Sequence, residues 1–185
     1  MPPAPSPGCW IWASSRICCE AESWRSSANA SCGGYFGEVS QATTTELKSF
    51  AGRLAYYKGL RHLIRAMTAV DADLVIVGEG ENGPDLKRFV KETRLENKVR
   101  FAGRVSDSEL DTWFRRCDVF VLPSTAESET TGLVQMEAMA RCKPVVNTNL
   151  PTDVPKVSVH GETGITVAPG SADELADAIN RLLAD

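Results

Sequence analysis

The chain is short of basic charge, of histidine and of long apolar runs, and each shortage removes a class of function. Its 20 Lys and Arg stand against 24 Asp and Glu, a net charge of −4. That balance gives no basic field for nucleic acid or anionic lipid, so any anion-binding site must be local. No stretch approaches the ~18 apolar residues of a spanning helix, and the N-terminus has neither the basic nor the apolar region of a signal peptide. A cytoplasmic location is therefore expected. The two histidines, His62 and His160, have no thiol or second imidazole at ligand spacing, so no zinc site is expected, nor any other metal. Of the six cysteines, Cys9, Cys18, Cys19 and Cys32 crowd the first stretch while Cys117 and Cys142 stand alone, which suits reduced thiols better than a disulfide framework. No serine has an identifiable histidine partner, and ordinary loop capping accounts for Ser124 and Ser128.

What is present changes character near residue 45. Residues 1–45 hold four of the cysteines and three of the four tryptophans without a sustained period of 2 or 3.6, and they read as an irregular leader. From Leu47 short apolar runs alternate with amphipathic stretches, the signature of βαβ units on a parallel sheet. Strands are predicted at Ser49–Gly52, Leu74–Val77, Val99–Ala102, Val119–Leu122, Pro144–Asn147 and Gly164–Val167. Helices are predicted at Gly59–Ala69, Asp85–Arg94, Asp107–Arg115, Gly132–Arg141 and Ala172–Ala184, with capping boxes at Ser106/Glu109 and Ser171/Glu174. Right-handed crossovers then cover both faces of a doubly wound, Rossmann-like α/β layer. In such a sheet ligands bind beyond the carboxyl ends of the strands, so the loops after Gly52, Val77, Ala102, Leu122 and Asn147 are the ones to search.

Three features lie in those loops, and a fourth lies outside them. Glu129 and Glu137 are eight positions apart in a loop and a helix whose segment Leu133–Ala140 is apolar nearly all round. On a 100° wheel Glu137 falls between Leu133 and Val134, so a buried acid is expected there. Its partner is either a vicinal diol, such as a ribose 2′,3′ pair, or an unseen Arg. The loop Gly52–Gly59 carries Arg53 and Lys58 at its two ends and opens a helix. Those cations form either a diphosphate clamp that stabilises a leaving group or a solvated pair. Gly78-Glu-Gly-Glu-Asn-Gly83 matches the spacing G-x-G-x-x-G between strand and helix, which raises a rival NADP-dependent oxidoreductase. Against it, Glu79 and Glu81 place two negative charges where pyrophosphate would lie, and Arg104 stands where a ribose-binding acid is needed. Asp71-Ala-Asp73 has a metal-like pattern but precedes a strand, at the wrong end of the sheet, and reads as solvated turn acids.

Taken together, Gly52-Arg-Leu with Lys58-Gly, Gly78-Glu-Gly, Phe101-Ala-Gly103, Asp118-Val-Phe-Val-Leu-Pro-Ser124 and Glu129-x7-Glu137 followed by Lys143-Pro-Val-Val146 resemble a known pattern. It is that of the C-terminal, nucleotide-sugar-binding domain of GT-B glycosyltransferases of the group 1, family 4 type, and it covers residues 46–185. The resemblance implies one half of a GT-B fold and transfer of a hexosyl group from a nucleotide-diphosphate sugar, retaining and without metal or cofactor. It implies that Arg53 and Lys58 grip the diphosphate and that Glu129 holds hydroxyls of the transferred sugar, these three forming the catalytic set. Glu137 would bind the ribose. Amides near Thr130, Thr131, Gly132 and Leu133 would meet the phosphate next to the sugar, Gly52 would lie beside it, and the backbone at Arg104 and Val105 would read the base. The tail from Asn147 to Gly164 is similar to bacterial polysaccharide mannosyltransferases, which points to GDP-mannose, with a UDP-sugar as the other donor. The acceptor would be a glycan or lipid-linked sugar.

The pattern is not followed throughout. Thr131 replaces a family Phe, Cys142 a Gly at a helix exit and Asp153 a Gly beside the nucleotide. Cys142 would cost on the order of 1 kcal/mol at positive φ or move the helix end, and Asp153 would repel a diphosphate. The family's acceptor-binding N-terminal domain does not fit into residues 1–45, and the family's last helix continues past the position of Asp185. The expectation is a donor-binding part whose missing domain supplies the acceptor site and any peripheral membrane contact. The alternative is a nucleotide-sugar binder without turnover.

Overall fold

The computed structural model describes residues 47–184, one unit within Glu46–Asp185. The irregular leader expected over residues 1–45 lies outside the described residues.

Six strands alternate with helices: β1 Leu47–Ala51, α1 Leu60–Ala66, β2 Asp73–Val77, α2 Gly83–Glu92, β3 Val99–Gly103, α3 Asp107–Arg116, β4 Val119–Leu122, α4 Val134–Met139, β5 Val145–Thr148, α5 Val154–Val157, β6 Gly164–Val167 and α6 Ala172–Ala184. The strands pair in parallel in the order β3-β2-β1-β4-β5-β6. This is the doubly wound α/β sheet read from the alternating pattern, and each predicted strand lies within two residues of its observed place. The short helix α5 and a 3-10 turn at Tyr56–Lys58 were not predicted.

Strand order decides which helices share a face. The crossovers β1-α1-β2 and β2-α2-β3 run one way across the sheet, whereas the crossover through α4 runs the other way, so right-handedness puts α1 and α2 opposite α4. α1 accordingly contacts both α2 and α6. On the far side Arg141, just beyond α4, donates from Nε to Asp111 of α3 at 2.6 Å and stacks over Phe114. Hydrogen bonds from Arg115 and Arg141 hold the Asp111 carboxyl below its usual range.

Because both faces are covered, the strands carry runs of apolar residues instead of alternation: all four residues of β4 are buried. Phe120 of β4 meets Phe114 of α3 with ring centroids 5.5 Å apart. Truncating such a buried ring to Ala costs about 3–5 kcal/mol. The capping box at α3 is complete, Ser106 Oγ accepting from the Glu109 amide and Glu109 from the Ser106 amide. At α6 the box is half made: the Glu174 amide donates to Ser171 Oγ, but the Glu174 carboxylate accepts from the Ala168 amide. Cys117 is buried, and its Sγ donates to the Phe114 carbonyl at 3.3 Å.

Candidate functional site

The sheet changes winding direction between β1 and β4, which are neighbours although far apart in sequence. At such a switch point the loops leaving the two strands diverge to opposite faces and open a crevice at their carboxyl ends. The loop after β1 carries Gly52 to Lys58 and the loop after β4 carries Ser124 to Gly132.

The two loops are locked together through backbone. Thr125 donates its amide to the Tyr57 carbonyl at 2.8 Å. Gly59 sits at φ +65, and a Cβ there would lie 1.9 Å from the Pro123 carbonyl oxygen, so no other residue lets the loops approach this closely. Lys58 is thereby turned inward and is only 8% exposed. Its Nζ donates to Glu129 Oε2 at 2.5 Å, and Ser124 Oγ donates to the same oxygen at 2.8 Å. Both members of the ion pair are buried, and neither end could leave without stranding the other's charge.

A concavity of about 290 Å³ opens beside this pair. Of the residues singled out in the sequence, Gly52, Lys58, Glu129, Gly132, Leu133 and Glu137 line it, joined by Ala51, Leu110 and Val134. Arg53, Arg104, Val105, Thr130 and Thr131 do not. Arg53 is exposed and turns to Glu81 in the loop after β2, its Nε and Nη2 donating at 3.3 and 3.2 Å. Arg104 and Val105 follow β3, with Arg104 exposed and Val105 half-buried. Thr130 accepts the Asp153 amide through its carbonyl, and Thr131 accepts Gln135 Nε2 in the same way.

The expectation of a buried Glu137 is corrected. The wheel groups Glu137 with Leu133 and Val134 as expected, but that face is the open one: Glu137 is exposed and Leu133 is 65% exposed. The polar residue that goes inside is Gln135, fully buried. Gln135 Nε2 donates to the Thr131 and Val154 carbonyls, and its Oε1 accepts from Asn147 Nδ2 at 3.1 Å. Asn147 Nδ2 also donates to Val154 and Ser158 carbonyls, tying the β4 loop, β5 and α5 into one buried network. Ser124 is likewise not a loop cap; its hydroxyl serves Glu129. Its own carbonyl accepts from Thr148 Oγ1 at 2.6 Å. The only sequence signal for this network was Gln135 as the other polar position of an apolar helix.

The Gly78 loop has a use other than cradling phosphate. Gly78 sits at φ +122 with its missing Cβ 2.0 Å from the Gly52 carbonyl oxygen, and a Cβ at Gly80 would lie 2.5 Å from the Leu54 carbonyl oxygen. The glycine spacing therefore serves loop-on-loop packing, which carries Glu81 to Arg53, and the dinucleotide reading loses its main support. Asp153 takes an ordinary φ of −84 and pairs with Lys156 at 2.7 Å, so its charge is met locally. Asp71 is exposed before β2, at the opposite end of the sheet.

A parallel six-stranded layer with a groove at its switch point, its apolar wall carrying the three charged residues Lys58, Glu129 and Glu137, defines a Rossmann-like α/β domain. The family follows from comparison: the model of the group 1 glycosyl transferases matches residues 37–185, and the chain belongs to that family. The match begins ahead of the boundary expected at residue 46. An uncharacterized glycosyltransferase of Methanocaldococcus jannaschii is 36% identical over 140 residues, covering 74% of this chain and 35% of the relative. The O-antigen chain mannosyltransferase C of Escherichia coli is 29% identical over 133 residues, covering 72% of this chain and 36% of the relative. Among solved structures, Anabaena HepE in complex with UDP superposes with a TM-score of 0.70 at 30% identity, covering 76% of this chain and 40% of HepE. The chain thus spans roughly a third of the length of these curated relatives.

Proposed function

We propose that the groove at the β1/β4 switch point binds the diphosphate and sugar of a nucleotide-diphosphate sugar, and that the chain is the donor-binding part of a retaining hexosyltransferase. One observation carries the reading most: a buried Lys58–Glu129 pair on the groove wall at the switch point, costly for folding but apt for a ligand with an anion and hydroxyls. Lys58 exchanges Glu129 for phosphate oxygens, and Glu129 accepts from hydroxyls of the sugar. Glu137, exposed on the same wall, accepts from the ribose, and the amides before α4 meet the phosphate near the sugar. Arg53 reaches the diphosphate by leaving Glu81, an exchange that little opposes because both side chains are solvated. Cation charge then stabilises the diphosphate as it departs.

GDP-mannose and UDP-glucose remain the two donors to compare, the first from the polysaccharide mannosyltransferase likeness and the second from the UDP-bound HepE neighbour. A glycan or lipid-linked acceptor and a cytoplasmic site of action complete the proposal. No helix among the described residues is long and apolar enough to cross a membrane. Calorimetric titration of the chain with UDP-glucose, GDP-mannose, UDP and GDP tests it. Binding of a nucleoside diphosphate that weakens by roughly 1.5–3 kcal/mol in Lys58→Ala is the expected result. No heat with any of the four ligands removes the proposal. Turnover with an added acceptor-binding domain then separates enzyme from binder.

A further inference from the structure

Ser124 has no assigned role, yet it is fully buried at the carboxyl end of β4 and gives its one proton to Glu129. Two features make that bond more than filler. Ser124 and Lys58 donate to the same carboxylate oxygen, Oε2, which leaves Oε1 as the remaining acceptor of a residue on the groove wall. Ser124 is also held from behind, its carbonyl accepting from the buried Thr148 hydroxyl of β5 at 2.6 Å. The donor is therefore anchored to the sheet and not to a loop tip.

We infer that Ser124 is a positioning residue for the donor sugar: it keeps the Glu129 carboxylate aimed into the groove once a diphosphate has drawn Lys58 away. This rests on the proposed function. In the empty groove Lys58 and Ser124 hold Glu129 together. When phosphate oxygens compete for Lys58, the carboxylate loses its charged partner, and a buried carboxylate with no donor swings toward water. The Ser124 hydroxyl is the bond that persists, so Oε1 stays available to a sugar hydroxyl. Ser124 touches neither phosphate nor sugar and acts only through Glu129.

The quantity that isolates this role is the sugar increment, the ratio of affinities for a nucleotide sugar and its free nucleoside diphosphate. It is measured calorimetrically on the full chain with UDP-glucose against UDP and GDP-mannose against GDP. Ser124→Ala is expected to shrink the increment roughly tenfold or more, the scale of a hydrogen bond to a charged group, while free-diphosphate affinity stays within about twofold. Retained diphosphate binding also shows that the variant is folded. If Ser124→Ala does not fold, Ser124→Cys, a near-isostere with a weak donor, is read in the same way and is expected to shrink the increment in part. An increment equal to wild type in the folded variant overturns the role of Ser124 while leaving the groove assignment in place. A wild-type chain that binds diphosphate with no sugar increment also overturns it. A wild-type chain that binds no nucleotide removes the groove assignment first, and the role of Ser124 with it.

Discussion

The two ends of the parallel sheet are built to different rules. At the carboxyl end the loops approach backbone to backbone at glycines, bury an ion pair and tie Gln135 and Asn147 into a buried network. At the amino end the turns are solvated: Asp71 is exposed before β2, and Lys98 caps the Val70 carbonyl from a half-buried position. Among the described residues the two non-glycine positions at positive φ, Arg94 and Cys142, both lie at this amino end, between α2 and β3 and between α4 and β5. Left-handed backbone at non-glycine residues is thus found away from the groove, while the groove end carries its unfavourable terms as buried charge. The difference teaches where substitutions should be felt, and by how much.

The largest effect is expected at the ion pair. Lys58→Ala leaves Glu129 buried without its charged partner and should lower unfolding free energy by about 2 kcal/mol or more, read from denaturant midpoints. The double variant Lys58→Met, Glu129→Gln should recover most of that loss, since neither uncompensated charge remains. If Lys58→Ala is as stable as wild type, the carboxyl end is no costlier than the amino end and the contrast fails. Next in size is Gln135→Leu, which removes two donors and one acceptor from a buried network. A loss of about 1–3 kcal/mol is expected, with faster amide exchange in the Thr131–Gly132 loop that Gln135 holds. Slow, wild-type exchange there would show that the loop is fixed by Gly132 packing alone.

Much of this contrast was legible before any coordinates. The alternation of elements and the carboxyl-end rule single out the loops that carry Lys58 and Glu129, and the resemblance adds Glu137, but it is the observed strand order that brings the ends of β1 and β4 together. What could not be read was which face of an all-round apolar helix would be covered. In α4 the wheel separates Glu137 from Gln135 correctly, but Leu133 and Met136 stay exposed, and no hydrophobic count distinguishes a core face from a groove wall. The Arg53–Glu81 pair was hidden for another reason. It depends on Gly78 and Gly80 letting two loops touch, a three-dimensional fact that spacing shared with dinucleotide sites disguises. Ser124 reads as an ordinary loop cap because its partner Glu129 lies on the same loop and offers no motif.

Arg53 sharpens the comparison from within the carboxyl end. It and Lys58 belong to one loop, but Arg53 and its partner Glu81 are 71% and 52% exposed in their side chains. Arg53→Ala should therefore change stability by no more than about 0.5 kcal/mol while weakening diphosphate binding. Equal losses of stability for Arg53→Ala and Lys58→Ala would mean that burial does not separate the two cations.

The smallest effect is expected at the amino end and has the opposite sign. Helix α2 closes with Arg94 at φ 57, its amide donating to the Lys91 carbonyl while the Leu95 amide reaches the Val90 carbonyl at 3.0 Å. That is the paired bonding of a Schellman ending, with buried Leu95 against buried Val90. The position asks for a residue without a Cβ, and Arg94 is exposed, so its side chain contributes no burial in return. Arg94→Gly relieves the left-handed penalty but frees the unfolded chain, and the balance should be a gain of about 0.5 kcal/mol. Nucleotide affinity should not change, because the turn lies at the far end of the sheet from the groove. A loss of stability in this variant would show that Arg94 is held by contacts that outweigh its backbone strain, and the amino end would then be as closely specified as the carboxyl end.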